Sequence, residues 1–177
     1  GPVAPTYKTL TEVEPRIAIN ATNTPGDADS VYRITQPGSY YLTTNLTGAA
    51  SKKCIEVSAD NVSIDLNGMT ITGNATSTAG IVAENVRIDL TVRNGTVRNV
   101  GAGPGIGFSI GACRGWSVEN VNAYNNMDHG IWLPNGSIAK ACRAANNTGR
   151  GIRVGDNCQV VDCIAYENTL AGIEAGS

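Results

Sequence analysis

The dipeptide Gly-Ile recurs at Gly80-Ile81, Gly105-Ile106, Gly130-Ile131, Gly151-Ile152 and Gly172-Ile173, at intervals of 25, 25, 21 and 21 residues by subtraction. A fixed period of this length is the mark of a chain that repeats one supersecondary unit and stacks the copies. The last three copies agree in detail. Asn126-Met-Asp-His-Gly-Ile131, Asn147-Thr-Gly-Arg-Gly-Ile152 and Asn168-Thr-Leu-Ala-Gly-Ile173 share one Asn-Xaa-Xaa-Xaa-Gly-Ile frame. Within the same units Val121, Cys142 and Cys163 correspond, as do Ala123, Ala144 and Ala165, and Val118, Ala139 and Val160.

If each copy is one coil of strands, these sets become inward columns at the roughly 4.8 Å spacing of paired strands. Ile131, Ile152 and Ile173 form the apolar seam, and the next residues, Trp132, Arg153 and Glu174, point outward by the two-residue period of a strand. Earlier units are longer but keep the alternation, at Val62–Leu66, Met69–Ile71, Val86–Val92 and Ile106–Ile110. Asn67-Gly68, Asn94-Gly95 and Asn135-Gly136 supply residues that tolerate positive φ at sharp turns. Aromatics are 5% and charged residues 16% of the chain, which suits strands and turns better than a helical bundle. The expected fold is all-β: a right-handed parallel β-helix of about six coils over residues 31–177, behind a cap and loop at 1–30. In that cap Thr9-Leu-Thr-Glu12 fits a capping box and Pro15 would stop a short helix. The repeat stops at Ser177 with no capping helix in sight, as in a chain truncated at its C-terminus. End-to-end self-association through the C-terminal coil is therefore expected.

The chain resembles the secreted right-handed β-helix proteins of bacteria, the pectate-lyase-like superfamily. Pectate lyases, polygalacturonases and mannuronan epimerases are among its enzymes. The resemblance runs from about Ile34 to Ala175 and rests on Thr35-Gln-Pro-Gly-Ser-Tyr-Tyr-Leu42, Val62-Ser-Ile-Asp-Leu-Asn-Gly68 and the Asn-Xaa-Xaa-Xaa-Gly-Ile frame. It implies a secreted or cell-surface protein that meets polysaccharide. It specifies fold far more than chemistry, because the same fold also serves tailspikes and adhesins.

Hydrolysis on this fold needs two carboxylates at a set separation. Aligning Leu66 with Val92 sets Asp65 beside Thr91, away from Asp89, so no acidic pair is expected. The family's lyases and epimerases use a base near a charge-neutralising group, often calcium held by several acids. Only Arg150 or Arg153 near Asp128 comes close to that description; Asp128, His129 and Arg150 are the catalytic candidates, His129 as a general acid or base, and no cofactor or calcium site is indicated. His129 occupies the variable slot before Gly130, where a solvent-facing turn residue is expected.

The substrate-binding candidates are Trp132, Arg150, Arg153 and Glu174: an apolar ring for a pyranose, and arginines for uronate carboxylates. Asn126, Asn147 and Asn168 read as a structural ladder in which stacked amides bond along the coil. The five cysteines include no Cys-Xaa-Xaa-Cys pair and lie in inward columns, as reduced core thiols and not as a zinc site. A net charge of −2 without a basic run argues against nucleic acid, and no stretch reaches the roughly 18–20 apolar residues of a membrane span. Six bare coils with short turns favour a non-catalytic structural or glycan-binding domain. The alternative is a fragment of a lyase, epimerase or hydrolase acting on acidic polysaccharide.

Overall fold

The computed structural model describes residues 15–108 and 113–176. Those residues form strands joined by turns, and every pairing between the named strands is parallel. One face is a seven-stranded sheet built from Ser30–Ile34, Lys53–Val57, Ala79–Ala83, Ile106–Phe108, Ile131–Leu133, Ile152–Val154 and Ile173–Ala175. Seven rungs enclose six coil intervals. Tyr32, Ile55, Ile81, Ile106, Ile131, Ile152 and Ile173 lie in one register column, which extends the Gly-Ile seam two rungs beyond the motif.

The other eleven strands make two further faces, because Leu90–Arg98 and Ser117–Tyr124 each bend across the corner between them. The bend falls at Asn94 and Asn120, whose φ angles are 58° and 51°. Asparagine enters this left-handed region at lower cost than other non-glycine residues. On one side of the corner run Ile17–Ala18, Gly38–Tyr41, Val62–Asp65, Ile138–Lys140 and Gln159–Val161. On the other side run Leu46–Thr47, Thr70–Thr72, Arg143–Ala145 and Ile164–Tyr166.

Inside, the chain is apolar and tapers. Ile71, Val97, Ala123, Ala144 and Ala165 stack in one column, so the inward side chain shrinks as the coil shortens. A smaller perimeter leaves less room, and small residues keep the interior at close-packed density. Ile55, Ile81, Ile106, Ile131 and Ile152 are wholly buried, each contributing roughly 1.5–3 kcal/mol of transfer free energy.

The asparagines of the frame form a ladder, buried at Asn126 and Asn147 and half-buried at Asn168. Asn126 Nδ2 donates to Asn147 Oδ1 at 3.0 Å, and Asn147 Nδ2 donates to Asn168 Oδ1 at 2.9 Å. Each lower amide also accepts a backbone N–H, from Asn126 and Asn147 respectively, both at 3.1 Å. The glycine of the frame follows from the close approach of the next coil's backbone and of this ladder. A Cβ on Gly105, Gly130 or Gly151 would lie 2.7, 2.7 or 2.5 Å from the carbonyl oxygen of the glycine one coil on, and 2.8, 2.7 or 2.6 Å from the Nδ2 of Asn126, Asn147 or Asn168, so backbone and amide together exclude a side chain there.

Cysteine repeats the same wiring. Cys163 Sγ accepts from the backbone of Cys142 at 3.4 Å and donates to the carbonyl of Ala139 at 3.5 Å. Cys158 does the same with Ser137 and Pro134, at 3.3 and 3.1 Å. In Asn168, Cys163 and Cys158 alike, the acceptor takes the N–H 21 residues earlier and the donor reaches the carbonyl 24 residues earlier. All five cysteines are free.

Two expectations from the sequence are corrected here. The strand anticipated at Val86–Val92 starts only at Leu90; Val86 is half exposed, and Asp89 turns the chain at a φ of 56°. Ile64, not Leu66, pairs with Val92, so Asp65 stands beside Arg93 and not Thr91. The turn at 86–89 absorbs the extra residues of this coil, which is why an alignment on apolar residues alone slipped. Within the segment expected as cap and loop, Ile17–Ala18 already adds a strand beside Tyr40–Tyr41. The capping-box residues Thr9–Glu12 lie outside the described residues.

Candidate functional site

The outward column of the seven-stranded face reads Arg33, Glu56, Val82, Gly107, Trp132, Arg153 and Glu174. Strand alternation turns these side chains away from the isoleucine seam, and the coil repeat stacks them. Gly107, one coil before Trp132 in this column, is followed by Phe108, and the rings of Phe108 and Trp132 meet at 4.7 Å with a 40° tilt. Phe108 also meets the buried Trp116 edge-on at 5.9 Å, which anchors the aromatic pair to the core.

Around Trp132 the structure gathers the candidates named from the sequence. The Arg153 guanidinium lies 5.0 Å from the centre of the Trp132 ring, and the His129 ring meets it edge-on at 5.3 Å. Glu174 contacts Arg150 Nε at 2.5 Å and Arg153 Nε at 3.6 Å. The first contact is ionic and not a directed hydrogen bond, since Arg150 Nε has no aligned acceptor. The second is too long for a hydrogen bond, so Arg153 keeps donors for another acceptor.

His129 departs from expectation. It is 6% exposed, not a solvent-facing turn residue, because Gly149 in the next coil leaves room for its ring: a Cβ there would lie 2.5 Å from Nδ1. Nδ1 accepts the backbone N–H of Arg150 at 3.0 Å, an arrangement that puts the neutral ring's proton on Nε2. The neighbouring Asp128 carboxylate does face the ring, 3.3 Å from Nδ1. Burial pushes the imidazole below its ordinary value and the two arginines add to this, while Asp128 and Glu174 oppose it. Asp128, His129 and Arg150 are thus adjacent, but the ring nitrogen nearest the carboxylate is already occupied by the backbone.

Beside the aromatic pair lies an open groove of about 350 Å³, lined by Phe108, Trp132, Pro134, Asn135, Arg153, Asp156 and Glu174 among others. Asn135 and Asp156 were not found from the sequence. They sit at the corner that follows the Trp132 and Arg153 strands, joined by Asp156 N–H to Asn135 Oδ1 at 3.0 Å. Their 21-residue offset was the available signal. Among the described residues no cluster of three histidine, cysteine or acidic side chains is arranged to hold a metal ion.

A stack of parallel coils with an amide ladder at one corner and an aromatic groove on one face defines a β-solenoid class of protein. The chain matches the family described as right handed beta helix region over residues 37–177, and it belongs to that family. No curated protein and no solved structure matches it.

Proposed function

We propose that this chain is a non-catalytic β-helix domain that binds polysaccharide in the groove beside Trp132, in a secreted or cell-surface setting. The observation that carries the reading is the Phe108–Trp132 pair, anchored through Trp116 and flanked by polar groups of both signs. Aromatic faces take the apolar side of a pyranose, while Asn135, Arg153, Asp156 and Glu174 offer donors and acceptors to its hydroxyls.

Charge favours a neutral sugar over the uronate expected from the arginines alone. One cation, Arg153, lines the groove with two carboxylates, Asp156 and Glu174, and it already lies against Glu174. A non-catalytic role is supported by the commitments of the groups nearest to chemistry. Glu174 is held by two arginines, and His129 is buried with Nδ1 bonded to the backbone.

A glycan array followed by calorimetry tests the reading. Binding of a neutral oligosaccharide is expected, weakened about tenfold by Trp132→Ala, the loss of a stacking face being worth about 1.4 kcal/mol. Absence of glycan binding, or binding untouched by Trp132→Ala and Arg153→Ala together, refutes it.

A further inference from the structure

A second aromatic arrangement lies on a different face. The register places Tyr124, Ala145 and Tyr166 in one outward column, the alanine on the middle coil. Beside it runs a column of Asn122, Arg143 and Ile164. Strands repeat at roughly 4.8 Å, so the two tyrosines are spaced about 9.6 Å apart along the axis. Ala145, 5% exposed, is the floor of the space between them. The resulting slot of about 280 Å³ is lined by both tyrosines, Asn122, Arg143, Ala145 and Asn146 among others.

Spacing and chemistry both select an occupant. Two coils of separation leave room for one ring with ordinary stacking distances of about 4.5–5 Å on each side. A single coil would close the gap on itself. Among the described residues, the Arg143 guanidinium and the side-chain amides of Asn122 and Asn146 have no partner, unlike the arginines beside Trp132. An uncommitted guanidinium recognises a carboxylate through two parallel N–H donors, and free amides serve hydroxyls.

We propose that the slot between Tyr124 and Tyr166 binds one uronate unit of an acidic polysaccharide, the sugar ring held between the tyrosines and its carboxylate on Arg143. This site is independent of the groove beside Trp132 and selects the opposite charge class.

Trigalacturonate and its neutral counterpart galactotriose differ at the carboxylate and test the proposal directly. With the alanine methyl groups isotopically labelled, trigalacturonate should shift the Ala145 methyl resonance while galactotriose leaves it in place. The Trp132 indole resonance reports the other groove in the same spectra. Ala145→Tyr fills the slot with a third ring in a continuous stack, a change the sheet accommodates, and should weaken trigalacturonate binding at least about tenfold. Arg143→Gln should do the same and erase the preference over galactotriose. Trp132→Ala should leave the Ala145 shift intact, so a failure of the groove reading does not imitate a failure of this one. An Ala145 methyl that does not respond to trigalacturonate, or responds equally to galactotriose, overturns the proposal. So does undiminished binding in both Tyr166→Ala and Arg143→Gln.

Discussion

Asn147→Ala should be among the most damaging single changes available in this chain, and the hydrogen bonds say by how much. The Asn147 side chain is 1% exposed and makes four bonds: Oδ1 accepts from Asn126 N at 3.1 Å and Asn126 Nδ2 at 3.0 Å, while Nδ2 donates to Ala123 O at 3.1 Å and Asn168 Oδ1 at 2.9 Å. Truncation leaves one of the partners without a substitute, the backbone N–H of Asn126. The other three keep one bond each: Ala123 O with the Ala145 N–H of the parallel strand pair, Asn126 Nδ2 with Val97 O, and Asn168 Oδ1 with the backbone of residue 147. An orphaned buried group costs about 1–3 kcal/mol, so the loss should be about 1–3 kcal/mol.

Asn147→Cys provides the internal control, because Cys163 already accepts an N–H 21 residues back and donates to a carbonyl 24 residues back. A thiol at 147 should restore both backbone contacts and cost about half as much. Urea midpoints give the ranking, and hydrogen exchange of the Asn126 amide gives the local effect. A loss below about 1 kcal/mol for Asn147→Ala, or a cysteine variant no better than the alanine variant, would refute the reasoning.

Two further outcomes follow from titrating groups. The His129 imidazole is held below its ordinary value of 6.5, chiefly by burial, so the unfolded chain takes up this proton first as pH falls. Its stabilising contribution is complete above about 6.5 and is lost as pH drops toward the folded value, with a slope under about 1.4 kcal/mol per pH unit. Urea unfolding of wild type and His129→Asn across that range should show the wild type alone carrying this component; parallel profiles would count against it. Burial raises the thiols of Cys54 to about 11 and Cys142 to about 12, so a thiol reagent at neutral pH should reach half-buried Cys158 and Cys163 first. Denaturation should then expose five thiols, and a count of three would reveal a disulfide.

The 21-residue coils are legible residue by residue in the sequence, because a constant period leaves one way to stack equivalent positions. The columns of Ile131, Ile152 and Ile173, of Ala123, Ala144 and Ala165, and of Trp132, Arg153 and Glu174 all stand at the register read from the repeat. Local chemistry sufficed there: asparagine, glycine and a small apolar residue recur because each fills the same place in each coil.

Where the coil length changes, periodicity stops specifying partners and three-dimensional packing takes over. Asp65 gained Arg93 because the turn at 86–89 took up residues that a pattern of apolar positions could not place. Phe108 joined Trp132 across a 25-residue coil, and Tyr124 and Tyr166 became two walls of one slot because the intervening Ala145 is small. His129 went inside because a glycine one coil away left space for its ring, a fact about position 149 that the neighbours of 129 in sequence do not contain. The repeat determined which residues share a column; only the closed coil decided which neighbouring columns touch, because those contacts depend on the lengths of turns between strands and on side-chain volume one coil away.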